Sequence, residues 1–408
     1  MGIIFLYASF FFSLLYFLFS KRRVDFLVLY FFSLFLFSLP AFFSMTYIVG
    51  KGGYSIPSLE MYFVYGVAFL GCALVAIVSD YNEMGAGNKR CVQLSHENSL
   101  PVGFFCLSSL MFSLLILYSV YAGLAGARNK SEALEGVGIE YMILGGLSVV
   151  GFLVSHYSGK RFFQVAFFLV VFFLFLVGSR SPLVFLILGW FVIRFQDKEL
   201  VLLKKYKWFF LGLIALTVVI LGKSLYGYLY SGKGFGAWFS DIGIEYFLSG
   251  SEFLRTNGVL SLVLDSKYEI PGWSVPASLL KVLPFPEGVY SFDISYFANN
   301  FQGDNLAWVD YGVAFNPWAE AYSWMGLAGV VIYALLIPCL LRLLWRLMHE
   351  TGNPVYKTLF IVCGVTIAFW IHRNTLGSTL GYIRNVFYPV LIIYLFSKGA
   401  AVFFRRLK

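Results

Sequence analysis

Six residues in this chain combine a reactive type with a position where that type needs a reason. They are Arg180, Arg373, Arg384, Arg255, Glu320 and His372. Arg180 sits in the turn GSRSP between two apolar runs, and only about 12 residues separate Pro182 from Arg194. As helix that run reaches ~18 Å, short of the ~30 Å hydrocarbon core of a bilayer, so Arg180 is expected below the membrane surface. The same arithmetic holds for Lys357 to His372-Arg373, with 14 intervening residues, and for Arg384 to Lys398, with 13. A recessed arginine is costly unless it meets water, an acid or an anionic ligand. The alternative for each alone is snorkelling to headgroup phosphates. Together they suggest an anion site, and guanidinium forks match phosphate or pyrophosphate oxygens.

Glu320 lies in the run FNPWAEAYSWMGLAGVV. Asn316-Pro317 reads as an N-cap followed by proline at the first helical position, which puts Glu320 in the first turn, at the outer membrane surface. An acid there favours the helix dipole. It could also act as a general base at the mouth of a cavity. His372 adjoins Arg373 and suits either a structural or an acid–base role. Arg255 suits either a phosphate contact or plain solvation. The acids Asp293, Asp304, Asp310, Glu245 and Glu252 read as solvated charges. Trp238, Trp273, Tyr290, Tyr296, Trp308 and Trp318 could stack on sugars, though interface and core positions absorb most such residues. Gly326 and Gly329 read as close helix packing.

The elements that must carry these residues follow from composition. Of 408 residues, 60% are hydrophobic, 20% aromatic and 12% charged, with 46 Phe and a mean hydropathy of +0.79. A soluble domain carries roughly 25% charged residues, so soluble and disordered classes are excluded. The apolar stretches run near 20 residues, the length of membrane helices rather than barrel strands. Eleven spans are predicted, at about 2–20, 26–49, 61–79, 102–125, 138–158, 162–178, 182–195, 208–230, 318–341, 357–371 and 382–398. The first lacks a basic leader and precedes Lys21-Arg22-Arg23, so it is expected to be retained rather than cleaved.

Charge sets the orientation. One set of loops holds 19 Lys/Arg against 7 acids and the other 11 against 14, which together make the formal +9. The basic set belongs in the cytoplasm, giving an outside N-terminus, an inside C-terminus and a large extracytoplasmic loop at 231–317. The excess charge is thus orientation charge, and no nucleic-acid partner is expected. Division follows the loop: spans in 1–230, the loop at 231–317, and the last spans with a basic tail at 318–408. Cys72, Cys91, Cys106, Cys339 and Cys363 show no metal-ligand spacing, and no exported disulfide is expected. Walker, HExxH, GxSxG and DxD patterns are absent, as is any repeat of fixed period.

Three features resemble the Wzy-type O-antigen or capsular repeat-unit polymerases, integral-membrane glycosyltransferases of the group that includes the O-antigen ligases. They are the Phe/Leu-rich spans with one large outer loop before the last few, the turn VGSRSPLV, and the run FNPWAEAYSWMGLAGVV. The resemblance covers roughly 160–400. The Arg-x10-Gly repeats of some members are absent at Arg180, Arg255, Arg373 and Arg384.

The resemblance implies a glycosyltransferase C-like, all-α polytopic fold in the bacterial inner membrane with its site facing the periplasm. It implies a glycan on undecaprenyl pyrophosphate as donor and a lipid-linked repeat unit as acceptor, with a chain-length regulator as a further partner. Glu320 would deprotonate the acceptor hydroxyl, and the arginines would neutralise the leaving pyrophosphate. No metal and no cofactor is implied. A ligase is the nearest alternative, but its group carries a functional histidine in the large loop, and 231–317 has none; His372 would have to stand in. A flippase for lipid-linked sugars is the other, disfavoured by the single long loop and the lack of an internal repeat.

Overall fold

The computed structural model describes residues 1–20, 23–47, 54–85, 99–124, 138–176, 179–196, 252–285, 293, 295–306 and 315–406. Among these, thirteen α-helices account for nearly all regular structure. The first seven are α1 (Gly2–Phe19), α2 (Phe26–Phe42), α3 (Leu59–Gly85), α4 (Ser99–Leu124), α5 (Gly138–Tyr157), α6 (Arg161–Leu176) and α7 (Ser181–Phe195). Three shorter helices follow: α8 (Glu252–Ser266), α9 (Ser274–Ser278), which runs into a 3-10 turn at Leu279–Val282, and α10 (Tyr296–Leu306). The last three are α11 (Pro317–Glu350), α12 (Pro354–Val365), prolonged by a π turn (Thr366–Trp370) and a 3-10 turn (Ile371–Arg373), and α13 (Leu376–Arg406). A two-residue antiparallel ladder pairs β1 (Thr46–Tyr47) with β2 (Tyr54–Ser55).

Seven helical stretches are long and apolar enough to cross a membrane: α1, α3, α4, α5, α11, α12 with its prolongation, and α13. They support a multi-pass membrane protein. The helices α2, α6 and α7 are apolar but shorter, at 17, 16 and 15 residues. The predicted span at 208–230 lies outside the described residues.

Burial separates an inner set from an outer one. α3, α5 and α12 bury 67%, 72% and 72% of their apolar windows, whereas α1 and α13 bury 33% and 28%. The outer helices present Phe11, Phe12, Leu15, Phe403 and Phe404 to their surroundings, a pattern that water would penalise and lipid tails accept. Inner helices approach closely. A Cβ on Gly71 of α3 would meet the Ala334 carbonyl oxygen of α11 at 2.4 Å, so only glycine allows this crossing.

Several boundaries differ from the sequence reading, each for a local reason. α2 stops at Phe42, just after Pro40, and the chain enters the β1–β2 turn instead of continuing to 49. α13 starts at Leu376 rather than 382, because Thr375 caps it: its Oγ1 accepts the Ser378 N–H at 3.1 Å. Arg384 therefore lies about 12 Å along a continuous helix rather than at a span end.

The largest difference is in α11, which is not one straight helix. Met325 (φ −146°, ψ 26°) and Gly326 (φ 58°, ψ −140°) break it, leaving a short helical segment at 317–324 before the long one. Gly326 makes no close packing contact; its side is open, and its role is the positive φ. Gly329 does pack closely, since a Cβ there would lie 2.0 Å from the Ala321 oxygen of the folded-back segment. The apolar run MGLAGVV conceals this break, because a glycine that packs and a glycine that turns look alike in sequence.

The segment 252–285, expected as part of the large outer loop with a helical-looking stretch around Arg255, contributes to the core. α8 packs on α2, α3 and α11 and buries Leu254, Val259, Leu260 and Val263. Asn257, fully buried, donates to the Phe37 oxygen (2.6 Å) and the Phe253 oxygen (2.7 Å) and accepts from the Tyr65 hydroxyl (2.9 Å). Asn316 donates to that same Tyr65 oxygen and to the Thr256 carbonyl, each at 3.2 Å. One polar network thus ties α2, α3, α8 and the start of α11 in a region where every polar group needs a partner. Beyond α8, burial and the Asp304 carboxylate beside it push the Tyr268 phenol up to about 12.

Candidate functional site

Glu320 is where the sequence places it along the helix and deeper than the sequence suggests. Asn316 caps α11, its Oδ1 accepting the Trp318 N–H at 2.9 Å, and Pro317 opens the first turn. Glu320 follows in that turn but is only 3% exposed. Two donors meet on one of its oxygens: the Leu376 N–H at 2.7 Å and the Tyr333 hydroxyl at 3.1 Å, both to Oε2. The first comes from the start of α13 and the second from beyond the break in α11. Charge-assisted bonds of this kind hold a buried carboxylate in one orientation. No hydrogen bond to Oε1 occurs among the described residues, so Oε1 is the oxygen left to the adjoining space.

That space is a small recess, with enclosed room for about one water molecule. Glu320, Thr375 and Gly377 form one wall, Ser274, Ser278 and Ile270 a second, and Ser295, Tyr296 and Phe297 the third. Its placement depends on the short elements of the outer segment. The folded-back part of α11 is pinned there by the Ile270 N–H, which donates to the Ser323 oxygen (3.0 Å), and by the Trp324 indole N–H, which donates to the Gly272 oxygen (2.8 Å).

Behind Ser295 stands Lys281, which the sequence reading missed. It rides the 3-10 turn after α9, is 6% exposed, and donates from Nζ to Ser295 Oγ. Its charge acts on Glu320 across the recess wall. Nothing in its sequence neighbourhood, SLLKVLP, marks it, because its position depends on how the turn packs against α13. Tyr333 was also missed: thirteen residues from Glu320 in sequence, it looks out of reach until the break is known.

Arg180, Arg373 and Arg384 lie on elements that meet. Phe185 of α7, Trp370 of the π turn and Tyr382 of α13 form an aromatic triad, with ring centroids 5.4, 5.5 and 4.4 Å apart. A Cβ on Gly189 would lie 3.5 Å from Ile361, so α7 and α12 run antiparallel, and Arg180 and Arg373 share one end. Arg180 is five residues before Phe185, Arg373 three after Trp370 and Arg384 two after Tyr382. With 1.5 Å per helical residue, the three backbones fall within roughly 10 Å of one another in depth. That end is also the end of Glu320, because Leu376 joins Arg373 to the Glu320 carboxylate within three residues.

The individual placements differ. Arg180 caps the start of α7, with its carbonyl accepting the Val184 N–H at 3.0 Å. Arg384 donates from Nη1 to the Phe285 oxygen (3.2 Å) and from Nε to Asn385 (3.2 Å). Arg255 lies in the first turns of α8, which packs against the Ile371–Arg373 turn. His372 points the other way. The residue is 1% exposed, with its ring packed against Tyr30 (centroids 4.8 Å) and Phe37 (5.6 Å).

Of the loop acids, Asp293 accepts from the Ser295 N–H (2.7 Å) and from Asn299 at the start of α10, while Asp304 accepts from Tyr268. Trp318 is 1% exposed and belongs to the core, while Trp273, 45% exposed, stands edge-on to Tyr296 (5.4 Å) at the rim of the recess. Trp238, Glu245, Tyr290, Trp308 and Asp310 lie outside the described residues, as does the side chain of Glu252. No group of three metal-ligating side chains occurs among the described residues. No family model, curated protein or solved structure matches the chain.

Proposed function

We propose that the protein is a membrane glycosyltransferase that joins undecaprenyl-pyrophosphate-linked oligosaccharide repeat units into an O-antigen or capsular polysaccharide. The observation that carries this reading is Glu320: a buried carboxylate with Oε2 held by two donors and Oε1 left to a hydroxyl-lined recess. That is the arrangement a general base needs, an acceptor oxygen held in place and directed at a small polar space. The resemblance of the Glu320 run and the Arg180 turn to the polymerases supplies the substrate class.

In the reaction, an acceptor sugar hydroxyl in the recess gives its proton to Glu320. The oxygen attacks the anomeric carbon of the donor glycan, a new glycosidic bond forms, and the bond to undecaprenyl pyrophosphate breaks with its electron pair. Arg180, Arg373 and Arg384 lie at the same end of the bundle and neutralise the charge gathering on the leaving group. Arg255 is placed to extend that positive surface. His372, wedged between Tyr30 and Phe37, is not at the recess, which weighs against the ligase alternative. By the charge of its loops this end of the bundle faces the periplasm.

The test is transfer by purified protein in liposomes supplied with lipid-linked repeat unit on the Glu320 side. Chains of two or more units with release of undecaprenyl pyrophosphate support the reading. Transport of the intact lipid-linked unit without new glycosidic bonds refutes it.

A further inference from the structure

The end of the bundle away from Glu320 gathers cations around the last turn of α5. Lys160 follows α5 in a tight turn that passes through Gly159 at φ 67°, and α6 begins at the next residue, Arg161. The Lys160 ammonium lies 3.6 Å from where a Cβ on Gly103 would stand, so α4 starts at this end too. Lys357, in the first turn of α12, holds its Nζ 5.5 Å from the centroid of the Tyr157 ring. Arg194, in the last turn of α7, acts through its charge on His156. Lys160 thus stands on the α4 side of α5, Arg194 on the α7 side and Lys357 on the α12 side.

The five helices α4, α5, α6, α7 and α12 hold one carboxylate between them, Glu140, in the first turn of α5 at the far end. None of Lys160, Arg161, Arg194 and Lys357 has an ion pair among the described residues. Asp197 and Glu199, the next acids after α7, lie outside them. Orientation charge needs only solvated loop residues, and two of these lysines are placed otherwise. Lys357 is 5% exposed, and the ring beside it offsets only part of the cost of burying an ammonium. Lys160 lies on Gly103 and acts on Cys106, almost a turn further along α4, whereas a snorkelling lysine turns toward water. Lys357 and Arg161 also stand at helix N-terminal ends, where the dipole favours an anion over a cation.

We infer that this end of the bundle binds the headgroup of an anionic phospholipid, with Lys160, Arg194 and Lys357 holding its phosphate oxygens. Basic sites between membrane helices on the cytoplasmic side suit such headgroups, and the loop charges put this end in the cytoplasm. A lipid is favoured over an aqueous anion by what adjoins the charges. Leu107 and Met111 of α4 and Phe162 and Val165 of α6 are exposed, an apolar face for the acyl chains beside the headgroup. The inference is independent of the reaction proposed for Glu320.

The test is native mass spectrometry of the full chain released from nanodiscs of equal dioleoyl phosphatidylglycerol and dioleoyl phosphatidylcholine. Phosphatidylglycerol should be retained over phosphatidylcholine in the wild type, and the preference should fall about threefold to tenfold in Lys357→Gln. Lys160→Gln, whose ammonium lies against open glycine rather than in the core, is the second variant if Lys357→Gln lowers the melting temperature. Arg346→Gln removes a charge from the same membrane side, at an exposed residue already paired with Glu350 (3.7 Å), and should leave the preference unchanged. In detergent, phosphatidylglycerol should raise the melting temperature of the wild type and inorganic phosphate should not. Equal retention of the two lipids overturns the inference. So does a preference indifferent to both lysines, an equal loss in Arg346→Gln, or stabilisation by inorganic phosphate as large as by the lipid.

Discussion

The Tyr333 hydroxyl donates to Oε2 of Glu320 at 3.1 Å, although thirteen residues separate the two along α11. In a straight helix that separation is about 20 Å, beyond the reach of either side chain. The break at Met325 and Gly326 folds the segment 317–324 back on the long helix and closes the gap. The site is thus built from a helix that turns on itself, with Leu376 supplying the second donor from the next hairpin.

The break should be sensitive to side chains in a specific order. Gly326→Ala meets open space but must hold φ near +58°, at a cost of about 1–3 kcal/mol. Gly329→Ala places a Cβ 2.0 Å from a backbone oxygen that cannot yield, so it should cost more. Gly399→Ala, in open space within α13, should be neutral or slightly stabilising. Melting temperatures of the three variants in detergent should rank Gly399→Ala above Gly326→Ala above Gly329→Ala.

Removing Asn257 should loosen the outer segment from the bundle. Asn257→Leu strips partners from the Tyr65 hydroxyl and the Phe37 carbonyl. Buried groups left unsatisfied cost about 1–3 kcal/mol each, less where lipid-embedded alternatives exist. We expect a lower unfolding midpoint and faster proteolysis within 252–285. Tyr65→Phe in the Asn257→Leu background should cost less than in the wild type, because the shared bond is already gone.

The arginines should separate into forks and point charges. Arg180→Ala, Arg373→Ala and Arg384→Ala should each slow transfer by roughly 10²–10³, the usual scale for losing one transition-state donor. Lysine at the same positions keeps the charge but not the paired N–H geometry, so it should recover part of the rate. Initial rates in liposomes at equal protein density check this. Arg384 also holds the Phe285 carbonyl, so its variants alone should change protease susceptibility near 285.

Much of the scaffold is readable from residue types. Asp25 and Asn353 cap α2 and α12, and Asn316-Pro317 opens α11, because a side-chain acceptor before a helix has a short-range geometric meaning. Long apolar runs likewise give the crossing helices. The depth argument for Arg180 and Arg373 needs only helix rise, and the aromatic triad adds that their elements meet. What escapes is contact between distant positions. Lys281 has no local mark, Tyr333 looks too far from Glu320, and Asn257 sits in a helical-looking stretch of the outer loop whose burial no local feature signals. Gly326 shows the limit most clearly, since its residue type is compatible with packing or turning and only the fold separates them.

The central claim is that Glu320 takes the proton from the acceptor hydroxyl. Glutamine is the sharpest probe, because its carbonyl oxygen can still accept from Leu376 and Tyr333 while the basic oxygen is lost. The measurement is the rate of polymer formation by Glu320→Gln against wild type in liposomes, at matched melting temperature and abundance. A fall of about 10²–10⁴, with single repeat units left unjoined, is the predicted result. Polymer of normal length made at the wild-type rate would contradict it.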